Sequence, residues 1–314
     1  MSDPQPLPWP VTELTPEQRK ELLIKEVLDY AGSGNLVPFI ENVVNGKLDI
    51  DQKDSRGFAV VHLAVLQGKF ELVQNLLDRA ACPVDLPTSS PSSPSSSFSP
   101  STSNQTPLIL ACSKGYINTI KLLLDRGANI EHKDEHGLTP LLTSIQYGQI
   151  PTLLLLMNRG GNLEAEDKNG NGAVHWAAYR NQVSMLRVLK ASGLDLSKKD
   201  SCGRSALHRA AITNSWKASE FLLFNDLNSD EKDSKGRTAY DVAVEYKSSS
   251  VASLINSFTK DGGPFFTYFT YFFLLYWAFI YYIYYTHILE HTTYKLIPSL
   301  GFNFCVLWIL PLFV

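Results

Sequence analysis

Three kinds of residue in this 314-residue chain could do chemistry, and their surroundings decide what that chemistry is. The four cysteines, Cys82, Cys112, Cys202 and Cys305, have neither metal-type nor paired spacing. Cys305 lies in an apolar run with no His or Asp beside it, and Cys112 and Cys202 occupy repeat positions, so none has the setting that activates a thiolate nucleophile. Free, reduced thiols in a cytosolic compartment follow. Among the histidines, His62, His175 and His208 share one register, whereas His287 and His291 form an i, i+4 pair beside Glu290. That pair lacks further ligands and reads as a polar turn rather than a metal site. The third kind is a set of aromatic and arginine side chains, Trp176, Tyr179, Arg180, Tyr147 and Arg209, the types that most often anchor protein interfaces. The chemistry they offer is recognition. No catalytic residue, metal or cofactor is expected in the chain.

These residues are positioned by a period. Thr106, Thr139, Gly172, Ser205 and Thr238 fall 33 residues apart, each after a turn glycine or its substitute. Five residues past this marker stands a small residue, Ala111, Ser144, Ala177, Ala210 or Ala243, where two helices must approach closely. Nine past it comes Gly115, Gly148, Asn181 or Asn214, residues that tolerate the left-handed conformation closing a helix. Seventeen past it an aliphatic residue, Leu123, Leu156, Leu189, Leu222 or Ile255, fills the groove between neighbours. Gly127, Gly160 and Gly193 then end the second helix. The pattern builds two short antiparallel helices and a turn finger per unit.

The strings TPLILACSKGYINTIKLLLDRGANI (106–130) and GRSALHRAAITNSWKASEFLL (203–223) resemble ankyrin repeats, whose consensus is a turn followed by T-P-L-H-x-A. The implied fold is all-α, an ankyrin-repeat solenoid of about seven 33-residue units over 15–258. Residues 1–14 form a proline-rich, disordered start without the features of a secretory signal. Residues 15–50 read as a divergent first repeat that opens on a Thr15 cap, and 57–80 as the second unit with Ala59 as marker. From Ala59 to Thr106 is 47 residues, 14 more than one period, and the Ser/Pro-rich stretch 87–103 accounts for the surplus as a disordered insertion. Ser90, Ser93 and Ser99 precede prolines there and are candidate phosphorylation sites. By the same resemblance, His62, His175 and His208 tie successive turns together. Inner-helix positions four, seven and eight past the marker line a concave groove, which brings Trp176, Tyr179, Arg180, Tyr147 and Arg209 into one peptide-binding patch.

Beyond a short linker (259–264), residues 265–289 carry no formally charged side chain, and a second apolar run covers 296–314. At about 1.5 Å per residue the first is long enough for a hydrocarbon core of about 30 Å. Both are read as transmembrane helices, the second truncated by the end of the sequence. The expected protein is thus integral to a membrane of the endomembrane system, Golgi or related, with its repeats in the cytosol. The net charge of −3 points to no nucleic acid.

The string GNGAVHWAAYRN (170–181), then SALHRAA (205–211) and TAYDVAVEY (238–246), is similar to the last repeats of the ankyrin-containing Asp-His-His-Cys palmitoyltransferases. The resemblance implies that protein substrates dock on the array, and that acyl-CoA and structural zinc belong to a catalytic domain beyond the spans. That domain's Asp-His-His-Cys sequence does not occur in this chain. Three readings stand at this level: the substrate-recruiting array and first spans of a palmitoyltransferase, a non-catalytic membrane-tethered adaptor, and a fragment of an ankyrin-bearing ion channel. The short linker argues against the last.

Overall fold

The computed structural model describes residues 51, 53–54, 56–78, 82–89, 103–225, 227–261 and 275–282. The expected first repeat at 15–50, the N-terminal 1–14, most of the insertion and the second apolar run lie outside these residues, as do Cys305, His287 and His291.

Helices alternate between an inner and an outer row. The inner row consists of α1 (Val60–Leu66), α3 (Pro107–Lys114), α5 (Pro140–Gln146), α7 (Ala173–Tyr179), α9 (Ala206–Ile212) and α11 (Ala239–Glu245). The outer row consists of α2 (Phe70–Asp78), α4 (Ile117–Asp125), α6 (Ile150–Asn158), α8 (Val183–Ala191), α10 (Trp216–Leu223) and α12 (Ser249–Asp261). Each inner helix packs on the next, and each of the first five pairs of inner and outer helices closes on itself. Two isolated β-bridges, Lys53 with Ala59 and Lys232 with Thr238, are the only extended pairings among the described residues. This is a helical ankyrin-repeat solenoid.

Local sequence accounts for the short helices. Thr106, Thr139 and Thr238 cap inner helices by accepting from the N–H three residues on, and Pro107 and Pro140 occupy a first-turn position where no N–H is needed. The connection to the outer helix turns through Gly68, Gly115, Gly148, Asn181, Asn214 and Lys247, all at positive φ. Lys247 has no local feature that favours this conformation. Between the rows the core is aliphatic: Leu72, Leu76, Ile109, Ile120, Leu123, Leu142, Leu153, Leu156, Met185 and Leu189 are buried, with Ala111, Ala177, Ala210 and Ala243 completely so. Helices of seven to nine residues are too short to be stable alone, and burial against both neighbours supplies the stability each lacks.

Successive fingers are stitched by one backbone bond each: Glu135 N–H to Ser103 O, Lys168 to His136, Ser201 to Asn169 and Ser234 to Cys202. Each finger is organised by an aspartate five residues before the marker, namely Asp54, Asp134, Asp167, Asp200 and Asp233. One carboxylate oxygen accepts the N–H groups two and four residues on. In the unit carrying the Ser/Pro stretch, Thr88 takes the place of that aspartate. Its N–H bonds to Gln105 O at 2.9 Å, its Oγ1 accepts from Gln105 N–H at 2.9 Å, and its carbonyl accepts from Asn104 N–H at 3.0 Å. Asn104, at φ 61°, replaces the usual turn glycine. Thr88, Ser89, Ser103 and Asn104 therefore make one four-residue turn, and residues 90–102 leave from its tip. The inserted segment is narrower than composition implied, because Thr88 and Ser103 are buried parts of the solenoid.

A consequence follows for deletion. Removing 90–102 joins Ser89 directly to Ser103 and is expected to leave the thermal midpoint within about 2 °C, since loop shortening changes closure entropy only slightly. Extending the deletion to Thr88 also removes its three hydrogen bonds inside the finger and is expected to lower the midpoint by about 4–8 °C for each ~1 kcal/mol lost. Calorimetry of the two deletions checks this.

The expectation of transmembrane helices is corrected by the structure. Among the described residues no helix is long and apolar enough to cross a membrane. Within 265–289 the described residues are 275–282, which are helical (α13). An uncharged run states what a segment could do in lipid; it does not state that the backbone is helical over its whole length. The rest of that run lies outside the described residues. The chain divides into two units, Met1–Ile255 and Asn256–Val314, and α12 runs across the division.

Candidate functional site

The site is built on the inner helices α7 and α9 and on the fingers that precede them. Trp176 and Tyr179 are three apart on α7 and therefore share a face. Their rings meet edge to face, with centroids 5.9 Å apart and planes at 78°, an arrangement that suits the aromatic quadrupoles. The Arg180 guanidinium lies over the Tyr179 ring at 6.0 Å. Arg209, at the same repeat position on α9 as Trp176 on α7, turns its Nη2 to the buried Asp200 carboxylate at 2.7 Å.

These groups line a cavity of about 320 Å³ together with Gln146, Asp167, Asn169, Asn171 and His175. Four of the five residues expected from sequence, Trp176, Tyr179, Arg180 and Arg209, are thus brought together. The fifth, Tyr147, is 55% exposed and borders an adjoining cavity of about 310 Å³, with Gln146 common to both. Sequence reasoning overlooked Asp167, Asn171 and Asp200. For the two aspartates the signal was present as the recurring aspartate three residues before a turn glycine, Gly170 and Gly203.

The unused hydrogen-bonding groups of the first cavity describe its chemistry. Trp176 Nε1 and Arg209 Nε are buried donors without a partner, and Asn171 Oδ1 is a buried acceptor without one. The Asn171 amide nitrogen donates to both oxygens of Asp167, at 3.2 and 2.9 Å, which fixes the side chain so that its oxygen is the free end. Buried polar groups are ordinarily satisfied. A cavity lined by residues with two buried, unpaired donors and one buried, unpaired acceptor, beside aromatic faces, is suited to a ligand carrying both an N–H and a C=O, as an extended peptide does.

Electrostatics hold this frame in place. Burial alone would raise the Asp200 carboxyl, but the Arg204 N–H and the Arg209 and Arg204 guanidiniums outweigh it and keep the group below the usual carboxylate range. His175 Nδ1 accepts the Gly172 N–H at 3.2 Å, and its Nε2 meets the Arg204 carbonyl at 3.1 Å. His208 and His62 make the same two contacts, to Arg237 and Leu86 respectively. A ring that accepts at Nδ1 and faces a carbonyl at Nε2 is a neutral donor there, and desolvation lowers the pKa of all three imidazoles. They are spacers between successive units rather than acid–base or metal groups. Among the described residues no cluster of His, Cys, Asp and Glu could hold a metal ion. Burial pushes the Cys82 thiol up to about 12 and raises Cys112 further, so neither supplies a thiolate near neutral pH.

With the helices, fingers and concave cavities in view, the class is defined. Residues 28–134, 61–167, 108–200 and 174–261 each match the family model described as ankyrin repeats, three copies, and together these matches cover most of the chain. The chain belongs to the ankyrin-repeat family. A curated relative is the poly(ADP-ribose) polymerase tankyrase of Caenorhabditis elegans, 35% identical over 86 residues. The aligned part is 27% of this chain and spans about 3% of that relative's length.

Proposed function

We propose that the array is a protein-recognition module that captures an extended segment of a partner protein on its concave face, with Trp176, Tyr179, Arg180, Tyr147 and Arg209 as its anchors. The observation that carries this reading is the cavity beside Trp176, where Nε1 of the indole, Nε of Arg209 and Oδ1 of Asn171 stand buried and unpaired. An extended main chain satisfies all three, and the half-buried aromatic pair supplies apolar contact area of the kind that dominates interface energetics. Free thiols at Cys82, Cys112 and Cys202 accord with a reducing, cytosolic setting.

The finer reading is that the captured proteins are substrates of a palmitoyltransferase. It rests on the HWAAYR string at 175–180 and its neighbours in the next two units. On this reading the array delivers partners, and the acyl-CoA chemistry belongs to an Asp-His-His-Cys domain that the present sequence does not contain. A non-catalytic adaptor is the alternative, and the same cavity serves both.

One experiment addresses both levels. Partners are captured from lysate on the wild-type chain and on Trp176→Ala/Tyr179→Ala, and the S-acylation of the captured proteins is read by thioester exchange. Loss of most captured species in the double variant, at unchanged helicity, is expected. Equal capture by a folded double variant would remove the concave patch from consideration. Capture of partners that carry no S-acyl groups would leave the adaptor and exclude the palmitoyl reading.

A further inference from the structure

Five fingers carry the organising aspartate, and four of them pair its outer oxygen within the chain. Asp54 Oδ2 receives Arg56 at 2.9 and 2.8 Å. Asp167 Oδ2 receives Asn171 at 2.9 Å. Asp200 Oδ2 receives Arg204 at 3.0 Å and Arg209 at 2.7 Å. Asp233 Oδ2 receives Arg237 at 3.1 and 2.7 Å. Asp134 departs from the series. Its Oδ1 accepts the His136 and Leu138 N–H groups at 2.9 and 2.8 Å, but its Oδ2 has no partner although the residue is only 4% exposed.

The register explains the vacancy. The partners come from three or one residues before the marker, or from four beyond it: Arg56 at minus three, Asn171, Arg204 and Arg237 at minus one, Arg209 at plus four. In the unit of Asp134 these places hold His136, Leu138 and Thr143. Thr143 is 3% exposed, too short to replace an arginine, and its Oγ1 is itself buried without a partner. Asp134 and Thr143 both belong to the lining of the 310 Å³ cavity, whose walls include Phe58, Leu66 and Leu110, while their idle oxygens are themselves buried. Exposed Lys114 borders the same cavity without reaching the carboxylate. A buried carboxylate oxygen left without a partner beside a partly apolar cavity is costly unless it is matched, and a guanidinium both neutralises it and fits it geometrically.

We propose that this cavity receives an arginine side chain of the bound partner, seated against Asp134 Oδ2 and Thr143 Oγ1 in the place that Arg209 fills for Asp200. The inference rests on the concave face being a peptide-binding surface, and it adds what the peptide must carry: an arginine toward the N-terminal side of the array from the Trp176 cavity. Gln146, shared by the two cavities, makes them neighbouring pockets of one groove.

The test uses the full chain, with Ac-Ala-Arg-Ala-NH2 and its citrulline analogue as probes in isothermal titration. Citrulline keeps the shape of arginine and removes the charge. The expected result is at least about tenfold tighter binding of the arginine probe, as a charge-assisted pair gives. Asp134→Asn retains an oxygen for the two backbone N–H groups and is expected to bring the preference to about one. Thr143→Arg is expected to abolish probe binding by supplying the guanidinium from within, as Arg209 does, and to raise the thermal midpoint. No preference in the wild type, including no binding at all, overturns the proposal, as does a preference that survives Asp134→Asn. Failure of the Trp176 reading is separable. Trp176→Ala/Tyr179→Ala keeps the arginine preference of the probe whatever it does to partner capture.

Discussion

Between pH 7.5 and pH 5 the array loses about 2 kcal/mol of stability through His62 alone, and about 3 kcal/mol by pH 4. The ring is 0% exposed, its Nδ1 accepts the Ala59 N–H at 3.0 Å, and its Nε2 meets the Leu86 carbonyl at 2.8 Å. A second proton has no acceptor at Nδ1 and would break the bond to Ala59. Desolvation therefore lowers the pKa from 6.5 to about 4. Because the folded value lies below the unfolded one, the unfolded chain binds the proton first. Stability is complete above the unfolded pKa and falls with pH from about 6.5 to about 4, at about 1.4 kcal/mol per unit. His175 and His208 shift in the same direction from the same cause and steepen the loss. Urea midpoints at pH 7.5, 6 and 5 measure it. A flat profile over that range would mean that these rings are not held neutral, and His62→Gln is expected to remove part of the slope.

Asp200→Ala is expected to cost about 3–5 kcal/mol, the range for removing one partner of a buried ion pair. The Asp200 carboxylate is fully enclosed and accepts from Cys202 N–H, Arg204 N–H, Arg204 Nε and Arg209 Nη2. Truncation strips the finger of its internal acceptor and leaves the half-buried Arg209 without a counter-charge. It also releases the arginine that forms one wall of the Trp176 cavity, so partner capture falls together with stability. Asp200→Ala/Arg209→Met, which removes the stranded charge, is expected to recover part of the loss. Urea denaturation of the single and double variants decides the matter: a cost under about 1 kcal/mol for Asp200→Ala would show that the pair is not coupled to the fold.

Much of the architecture is legible one residue at a time. Threonine caps at 106, 139 and 238, Pro107 and Pro140 after the first two, and left-handed Gly or Asn at 68, 115, 148, 181 and 214 act within a few residues of themselves. Their physics is local, so a linear reading places them. The period then follows from repetition, and the concave positions of Trp176, Tyr179, Arg180 and Arg209 follow from the period. The membrane reading was of a different kind. It took the apolar character of 265–289 as evidence of a spanning helix, and the described helix there is 275–282.

The sequence by itself thus determined the class of fold, its register, the inner-helix residues that face the groove and the absence of an Asp-His-His-Cys motif. Only the tertiary structure decided which polar groups are spoken for. Whether Asp134, Asp200 or Thr88 has a partner depends on backbone and side-chain groups 4 to 17 positions away in the chain that meet only when a finger closes on its own helix. Whether an unpaired group faces space or core depends on the neighbouring units stacked against it. Two aspartates with the same local spacing, Asp134 and Asp200, are indistinguishable by turn chemistry. Burial beside Thr143 in one case and Arg209 in the other makes the first an unpaired acceptor and the second a closed ion pair.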